Sequence, residues 1–420
     1  MSSRPAIVAC LIVKNEEKVL ERCLRSIRPY VDGYIIVDTG STDSTIEIAS
    51  REEFAGNNGI VSKVISRPWV NFGANRTEAL ALSAELTPKT TWSFMIDADD
   101  SVSLFPPPPP SAVSSSSGPD VKREVKLLHA AVTKASQTGV DGLTVKVSHL
   151  EIVHYRTQLF RNAARWTYVG AVHEYPQCVG GNGGKIGSSS EALCVIARTE
   201  GARSEDPEKY LKDAKMLRSE FAGTNPEGDE TLCTNTRTCF YLAQSFQNGG
   251  KNEAAIRFYQ QRIGPLEKVG FTDEVYISLV RLILLSKQDP EYQWECVWRA
   301  IAHSPKRLEA PHMLLSTRRL AKRASDSRTL AMIQMVVSLT DNFSNTLPPL
   351  PPGLFINQQV YEWQFADEVA VAAWQIKCAP LALRSATTAQ SRYAHSPREK
   401  CQVTIERLES NVKFAKEITL

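Results

Sequence analysis

Two folded parts of different class are expected in this 420-residue sequence: an α/β domain built on a parallel sheet, then an all-α domain of helical repeats. Three observations carry the expectation. The first hundred residues alternate short β-rich runs with stretches of helical period, the order that builds a parallel sheet with helices on both faces. From about Pro207 onwards the pattern is helical almost throughout. The chain is also longer than one hydrophobic core usually supports. The boundary is placed at Arg203, giving domains 1–203 and 204–420.

Within the first part, Ala6 to Val13 reads as a buried strand, and Glu17 to Arg28 as a helix with Val19, Leu20, Leu24 and Ile27 on one face. Gly33 to Asp38 is the second strand, followed by the loop Thr39-Gly-Ser-Thr-Asp43, where Ser41 or Asp43 is the candidate cap of a helix starting near Ser44. Val61 to Ser66 is a third strand, Asn75 to Leu86 a helix, and Trp92 to Ile96 a fourth strand. In parallel sheets ligands sit at the carboxyl ends of the strands, where Asp38 and Asp97 both fall. A five-proline tract and a serine run at 105–119 form a low-complexity insertion unable to bury a core. Helix is expected again at Val121 to Lys134. Strands follow at Gly142 to Val147 and Glu151 to Arg156, then the aromatic segment Trp166 to Gly170 and a Gly- and Ser-rich loop at Gly180 to Ser190.

In the second part, Thr236 to Ile263 fits a tetratricopeptide pattern. Leu242, Ala243, Phe246, Gly250, Ala255 and Tyr259 stand where two antiparallel helices interlock, the small residues allowing close approach and the glycine making the turn. Weaker units run from Val275 through Trp298, Ala300 and Pro305, and from Glu309 to Ile333. An ordinary helical bundle is the plain alternative. The expected roles of such repeats are a protein partner, a homodimer contact or a lid.

Composition narrows the function classes. The net charge of +3 is too small to suggest a polyanion-binding surface, so nucleic acid is not an expected partner. Nine cysteines without a CxxC pair fit reduced thiols better than a zinc cluster or disulfide framework. The apolar run Ala6 to Val13 is too short to span a bilayer and no later stretch is long and apolar enough, so a cytoplasmic location is the expectation.

The acidic run Asp97-Ala98-Asp99-Asp100 follows a hydrophobic strand. Carboxylates crowded at a strand end repel unless a cation holds them, and a divalent ion bridging them to a diphosphate would explain the arrangement. A solvated acidic turn is the plainer reading of the tripeptide alone. Asp38 can accept hydrogen bonds from a base or ribose, and Gly40 lets backbone approach a ligand. Arg76 can pair with phosphate or with the acidic run. Glu174 is the candidate general base for an acceptor hydroxyl, with His173 beside it for phosphate or metal.

Taken in order, Ala9-Cys-Leu-Ile-Val-Lys-Asn-Glu-Glu17, Val37-Asp-Thr-Gly-Ser-Thr-Asp-Ser-Thr45, Phe72-Gly-Ala-Asn-Arg76 and Met95-Ile-Asp-Ala-Asp-Asp100 resemble glycosyltransferase family 2. Arg156-Thr-Gln-Leu-Phe-Arg161, Trp166 to Glu174 and Gly201-Ala-Arg-Ser-Glu-Asp-Pro-Glu-Lys-Tyr210 resemble it too, so the likeness covers roughly residues 5–215. Gly353-Leu-Phe-Ile and Val360-Tyr-Glu-Trp363 look like members with a tetratricopeptide-like tail. The resemblance implies a GT-A domain, Rossmann-like in architecture, and inverting hexosyl transfer from a nucleotide-sugar, often UDP-linked. Carried over, Asn15, Glu16, Asp38 and Arg76 belong to the donor site. Asp97 and Asp99 form the Asp-x-Asp site for Mn2+ or Mg2+ and diphosphate. His173 and Glu174 lie on the acceptor side. The acceptor is a glycan, a lipid-linked sugar or a peptide.

Two departures stand out. Related sequences often carry a metal-assisting histidine before Gly201, whereas Ile196-Ala-Arg-Thr-Glu200 has none; and the insertion at 105–119 lengthens a loop that usually borders the donor. One rival is a catalytically weak sugar-nucleotide-binding protein that works through its repeats. Another is a nucleotidyltransferase, which usually needs a Gly-rich phosphate loop with Arg or Lys after the first strand; Lys14-Asn-Glu-Glu does not supply one.

Overall fold

The computed structural model describes residues 4–56, 59–60, 62–103, 121–149, 152–180, 183–188, 193–219, 235–268, 270–340, 350–351, 355–396 and 400–418. The low-complexity insertion at 105–119 and Gly353-Leu354 lie outside the described residues. The chain divides into two compact units, Met1–Ala222 and Gly223–Leu420.

The first unit begins β1 (Ile7–Val13), α1 (Leu20–Ile27), β2 (Gly33–Asp38), α2 (Thr45–Ala49), β3 (Lys63–Ser66), α3 (Phe72–Leu86) and β4 (Trp92–Met95). It continues with β5 (Ser101–Ser103), α4 (Val121–Gln137), β6 (Gly142–His149), β7 (Ile152–Arg161), β8 (Trp166–Val169), β9 (Tyr175–Cys178), β10 (Ile186–Ser188), β11 (Cys194–Ile196) and α5 (Lys209–Ser219). β1 is apolar at every position because both sheet faces are covered. Ile7, Ala9, Leu11 and Val13 enter one core with Leu20, Leu24 and Ile27 of α1; Val8 and Cys10 enter the other with Ala79 and Leu80 of α3.

The expected parallel sheet is present in part. β3, β2, β1 and β4 are parallel neighbours in that order. Beyond β4 the sheet turns mixed: β7 pairs antiparallel with β4 and with β6. A short β6–β7 connection can join only antiparallel strands, since a parallel pair needs a long crossover. β7 runs on to Arg161 rather than ending at Arg156. The Gly- and Ser-rich stretch expected to be loop contains β10, paired with β6. Gly187 lets that backbone lie against Leu143 and Val140, where a Cβ would come within 3.1–3.3 Å of their side chains. α3 starts at Phe72, ahead of the expected Asn75, because Asn71 caps it by accepting from Ala74 N–H at 2.8 Å.

The division between units falls beyond the expected Arg203. Gly201 and Ala202 donate backbone N–H groups to Asp99 and Glu16 at 3.2 Å each. Arg203 then lies over the Phe72 ring and pairs with Asp213 on α5. That segment is therefore anchored in the α/β unit.

The second unit is helical: α6 (Thr236–Asn248), α7 (Asn252–Ile263), α8 (Thr272–Leu285), α9 (Pro290–His303), α10 (Glu309–Leu320), α11 (Ser327–Thr340), α12 (Phe365–Gln375), α13 (Ala379–His395) and α14 (Gln402–Glu417). The first helix pair has the expected tetratricopeptide-like features. Leu242, Ala243, Ala255 and Tyr259 are fully buried between α6 and α7, and Gly250 turns the chain at φ +75°. The pairs α8–α9 and α10–α11 follow. A wide π turn at Val360–Gln364 leads into α12, where Ala370 and Ala373 pack against Ala382, Ala386 and Ala415, their small side chains allowing close approach. Among the described residues no helix is long and apolar enough to cross a membrane. The eight described cysteines are free thiols, five of them buried.

Candidate active site

The carboxyl ends of β1, β2 and β4 bring the sequence candidates to one edge of the sheet. The loops after β1 and β2 are laced together there. Asn15, in the left-handed region at φ +56°, donates its N–H to Ser41 Oγ at 2.9 Å and accepts from Thr42 N–H at 2.8 Å. Glu16 N–H donates to Thr45 Oγ1 at 2.7 Å, and Asp43 accepts from Thr45 N–H at 3.0 Å, so Asp43 rather than Ser41 serves the start of α2. Asp38 is buried and accepts from Gly40 and Ser41 N–H at 3.1–3.3 Å, which folds the loop back over the strand end. Asn15 and Asp38 thus shape the cradle as well as bordering it.

The acidic run closes a turn in which Asp100 N–H donates to Asp97 O at 3.1 Å. Its three carboxylates have separate fates. Asp97 accepts from Arg76 at 2.5 Å; burial pushes its pKa up, but Arg76 and Arg156 outweigh burial and hold it below the usual range. Asp99 is raised by burial and by the charge of Asp97. Asp100 points inward, accepts from Arg198 N–H at 3.2 Å, and is pushed up to about 8 by burial and Asp97. Glu16, on the loop after β1, joins this group because β1 and β4 are neighbours in the sheet. Burial and then the charges of Asp99, Asp43 and Asp97 raise it to about 7, against the opposing hydrogen bond from Ala202 N–H. Gly201 lies between Glu16 and Asp99: a Cβ there would come within 3.2–3.3 Å of both carboxylates.

The raised Glu16 makes stability depend on pH with a definite sign. A folded-state pKa above the unfolded 4.5 means the fold takes up a proton between pH 4.5 and 7, so ionised Glu16 opposes folding above pH 7. In chelator-treated protein Glu16→Gln is expected to raise the melting temperature at pH 8 and leave it nearly unchanged at pH 5. The gain at pH 8, discounted for partial exposure, is on the order of 1–2 kcal/mol. Equal melting shifts at both pH values would contradict this account.

Arg76 joins the acidic run to the acceptor-side candidates. Its guanidinium, with the side chain 15% exposed, reaches Asp97 on one side and Glu174 at 2.8 Å on the other, and lies 5.8 Å from the Tyr168 ring centroid. Glu174 is 10% exposed, and burial raises its pKa against the opposing charge of Arg76. His173 is exposed and in the left-handed region at φ +55°. Strained non-glycine backbone at both Asn15 and His173 is common where a site over-determines local geometry.

Arg76 is recognisable in the sequence, whereas the roles of its neighbours emerge only from the fold. Gly73 lies so close to the β8–β9 connection that a Cβ would sit 2.2 Å from Gly170 O. Asn75 is buried; it accepts from Val70 N–H at 3.0 Å and donates to Pro68 O at 3.1 Å, fixing the loop before α3. Arg156, 3.7 Å from Asp100, adds a second cation beside the run. The segment running through the histidine-free stretch to Ala202 covers the acidic run through the backbone N–H groups of Arg198 and Gly201, while Ala202 N–H donates to Glu16.

The mixed sheet is of the GT-A type, and its carboxylates gather at the strand ends, where ligands bind in such folds. Residues 8–104 match the model of Glycosyl transferase family 2. The chain is similar to a TPR repeat-containing protein of Synechococcus elongatus, 35% identical over 96 residues, 23% of this chain and 21% of that protein. It is also similar to uncharacterized glycosyltransferases of Rickettsia bellii and Rickettsia felis, each 33% identical over 97 residues, 23% of this chain and 29% and 30% of theirs. These alignments span less than a third of each relative. Residues 8–104 thus match glycosyltransferase family 2 within an α/β unit whose mixed sheet is of the GT-A type, and a helical unit with tetratricopeptide-like features follows it in the chain.

Proposed function

We propose that the N-terminal domain transfers a hexosyl group with inversion from a nucleotide-sugar, UDP-linked by preference, to a hydroxyl acceptor. The observation that supports this most is the Arg76 bridge. One guanidinium holds an Asp of the acidic run on one side and the candidate base on the other, which sets donor and acceptor groups on opposite flanks of a fixed cation. Asp38 and Asn15 are assigned to the nucleoside end and Glu16 to the phosphate side.

The acidic run has the chemistry of a divalent-cation site. Its donors are hard carboxylate oxygens, and Asp99, raised first by burial and then by the charge of Asp97, sits where a cation would favour its ionised form. Among the described residues no three His, Cys, Asp or Glu side chains gather closely enough to hold an ion alone. Asp97 and Asp99 would be the protein residues that hold Mn2+ or Mg2+ once a diphosphate is bound. When bound, such an ion supplies charge stabilisation for the leaving nucleoside diphosphate. Glu174 takes the proton of the attacking hydroxyl; burial, by raising its pKa, makes it the better base. Arg76 keeps that carboxylate oriented.

Hydrolysis of UDP- and GDP-sugars with Mn2+ or EDTA, in wild type and Asp99→Ala, tests the reading. Turnover dependent on Mn2+ and reduced about a hundredfold in the variant is expected. No metal-dependent turnover with any donor would favour a sugar-nucleotide-binding protein acting through its helical repeats.

A further inference from the structure

The loop between β3 and α3 is held more tightly than a surface connection needs. Arg67 N–H donates to Asp38 O at 2.9 Å, and Asn75 secures the loop at Pro68 and Val70, on either side of Trp69. What this framework presents is an exposed indole: Trp69 is 38% exposed, with Val70 beside it at 60%. The indole stands edge-to-face on Phe72 at 4.8 Å, and the Arg203 guanidinium lies 4.5 Å from the same Phe72 ring. A buried asparagine that spends its amide on rigidifying a loop with an outward tryptophan serves recognition better than packing.

The position of the indole follows from the helix. Phe72 and Arg76 are four residues apart on α3, one above the other on the same face. Phe72 N–H donates to Ala171 O at 3.1 Å, so this face abuts the segment leading to Glu174. From the Glu174 carboxylate through Arg76 and one helical turn to Phe72, the indole lies on the order of 10 Å away. That exceeds the span of one pyranose ring.

We propose that Trp69 is the stacking face for a saccharide acceptor and engages the sugar ring next to the one that reacts, so the acceptor is an oligosaccharide of at least two residues. The inference rests on Glu174 being the acceptor-side base. A pyranose offers an apolar C–H face with hydroxyls around its rim. A single exposed indole seated on Phe72, whose ring also carries the Arg203 guanidinium, matches that pattern. A lipid chain needs a continuous apolar channel, and an extended peptide needs an open row of backbone partners. This indole and one valine supply neither.

The test is binding of full-length protein, saturated with Mn2+ and UDP, to an array of defined mono- and oligosaccharides. UDP affinity is measured separately by calorimetry. Wild type is expected to retain oligosaccharides over the corresponding monosaccharides. Trp69→Ala should lose about tenfold in that retention, Trp69→Phe should keep most of it, and both should bind UDP as wild type does. Unchanged glycan retention in Trp69→Ala overturns the proposal. So does an equal loss of UDP affinity, which would assign the indole to the nucleobase, and so does wild type that binds UDP but no glycan. Wild type that binds neither UDP nor GDP with Mn2+ overturns the reading of the whole site, and this proposal with it.

Discussion

Arg76→Ala is expected to lower stability by about 3 kcal/mol and the transfer rate by a hundredfold or more, the largest combined effect of any single change at this site. The guanidinium is the shared partner of Asp97 and Glu174. Without it two partly buried carboxylates face each other with only the more distant Arg156 to offset them. The loss should depend on pH. In the wild type Asp97 is held below its usual value, so its pairing stabilises the fold above pH 4 and is lost as pH falls through the lowered folded pKa. The variant lacks that contribution, and its two carboxylates relieve their repulsion by taking up protons. The stability gap between variant and wild type should therefore be wide at pH 8 and narrower at pH 5, as read by thermal melts in both buffers. A gap of the same width at both pH values would mean that Arg76 acts through packing of its aliphatic stem. Arg76→Lys separates charge from geometry: it keeps the cation but cannot span two carboxylates with a planar fork. It should recover stability more than rate.

The parts of this site differ in how far the sequence reveals them, for physical reasons. β1 and the elements up to β4 are readable because each strand is an apolar run buried on both faces and each helix has its own stripe. The mixed half of the sheet depends on pairings that no local pattern records. β10 is the sharpest case: Ile186-Gly-Ser188 has little strand character and pairs because Gly187 fits against Leu143 and Val140. Among site residues, Asp97, Arg76 and Glu174 are legible as residue types after strands or in motifs, but their meeting on one guanidinium is a property of the folded chain. Asp38 shows the reverse. Its position at a strand end was readable, while its hydrogen bonds to Gly40 and Ser41 give it a loop-shaping duty besides the nucleoside contact proposed for it. Asn75 reads in the sequence as the first residue of a helix, and its burial and two loop contacts reveal a clamp.

Gly73→Ala makes the strongest test of how the site is assembled, because helix propensity and packing predict opposite signs. In an isolated helix, alanine for glycine gains roughly 0.5–1 kcal/mol. Here the new Cβ would lie 2.2 Å from Gly170 O and 3.3 Å from Tyr168 O, and both obstacles are backbone, which cannot rotate away as a flexible side chain would. α3 must retreat from the β8–β9 connection or the connection must retreat from α3. Either movement stretches the 3.1 Å bond from Phe72 N–H to Ala171 O and the 2.8 Å bond from Tyr168 N–H to Thr77 Oγ1. It also carries Glu174 away from Arg76, because the two sit on the opposed surfaces. The expected outcome is a loss of about 2–4 kcal/mol in denaturant unfolding. The accompanying fall in sugar transfer should be steeper than the fall in metal-dependent donor hydrolysis, since the acidic run stays with β4 while the base moves. A variant more stable than wild type would show that the contact between α3 and Gly170 is not tight. Equal losses in transfer and hydrolysis would show that Glu174 and the acidic run move as one body.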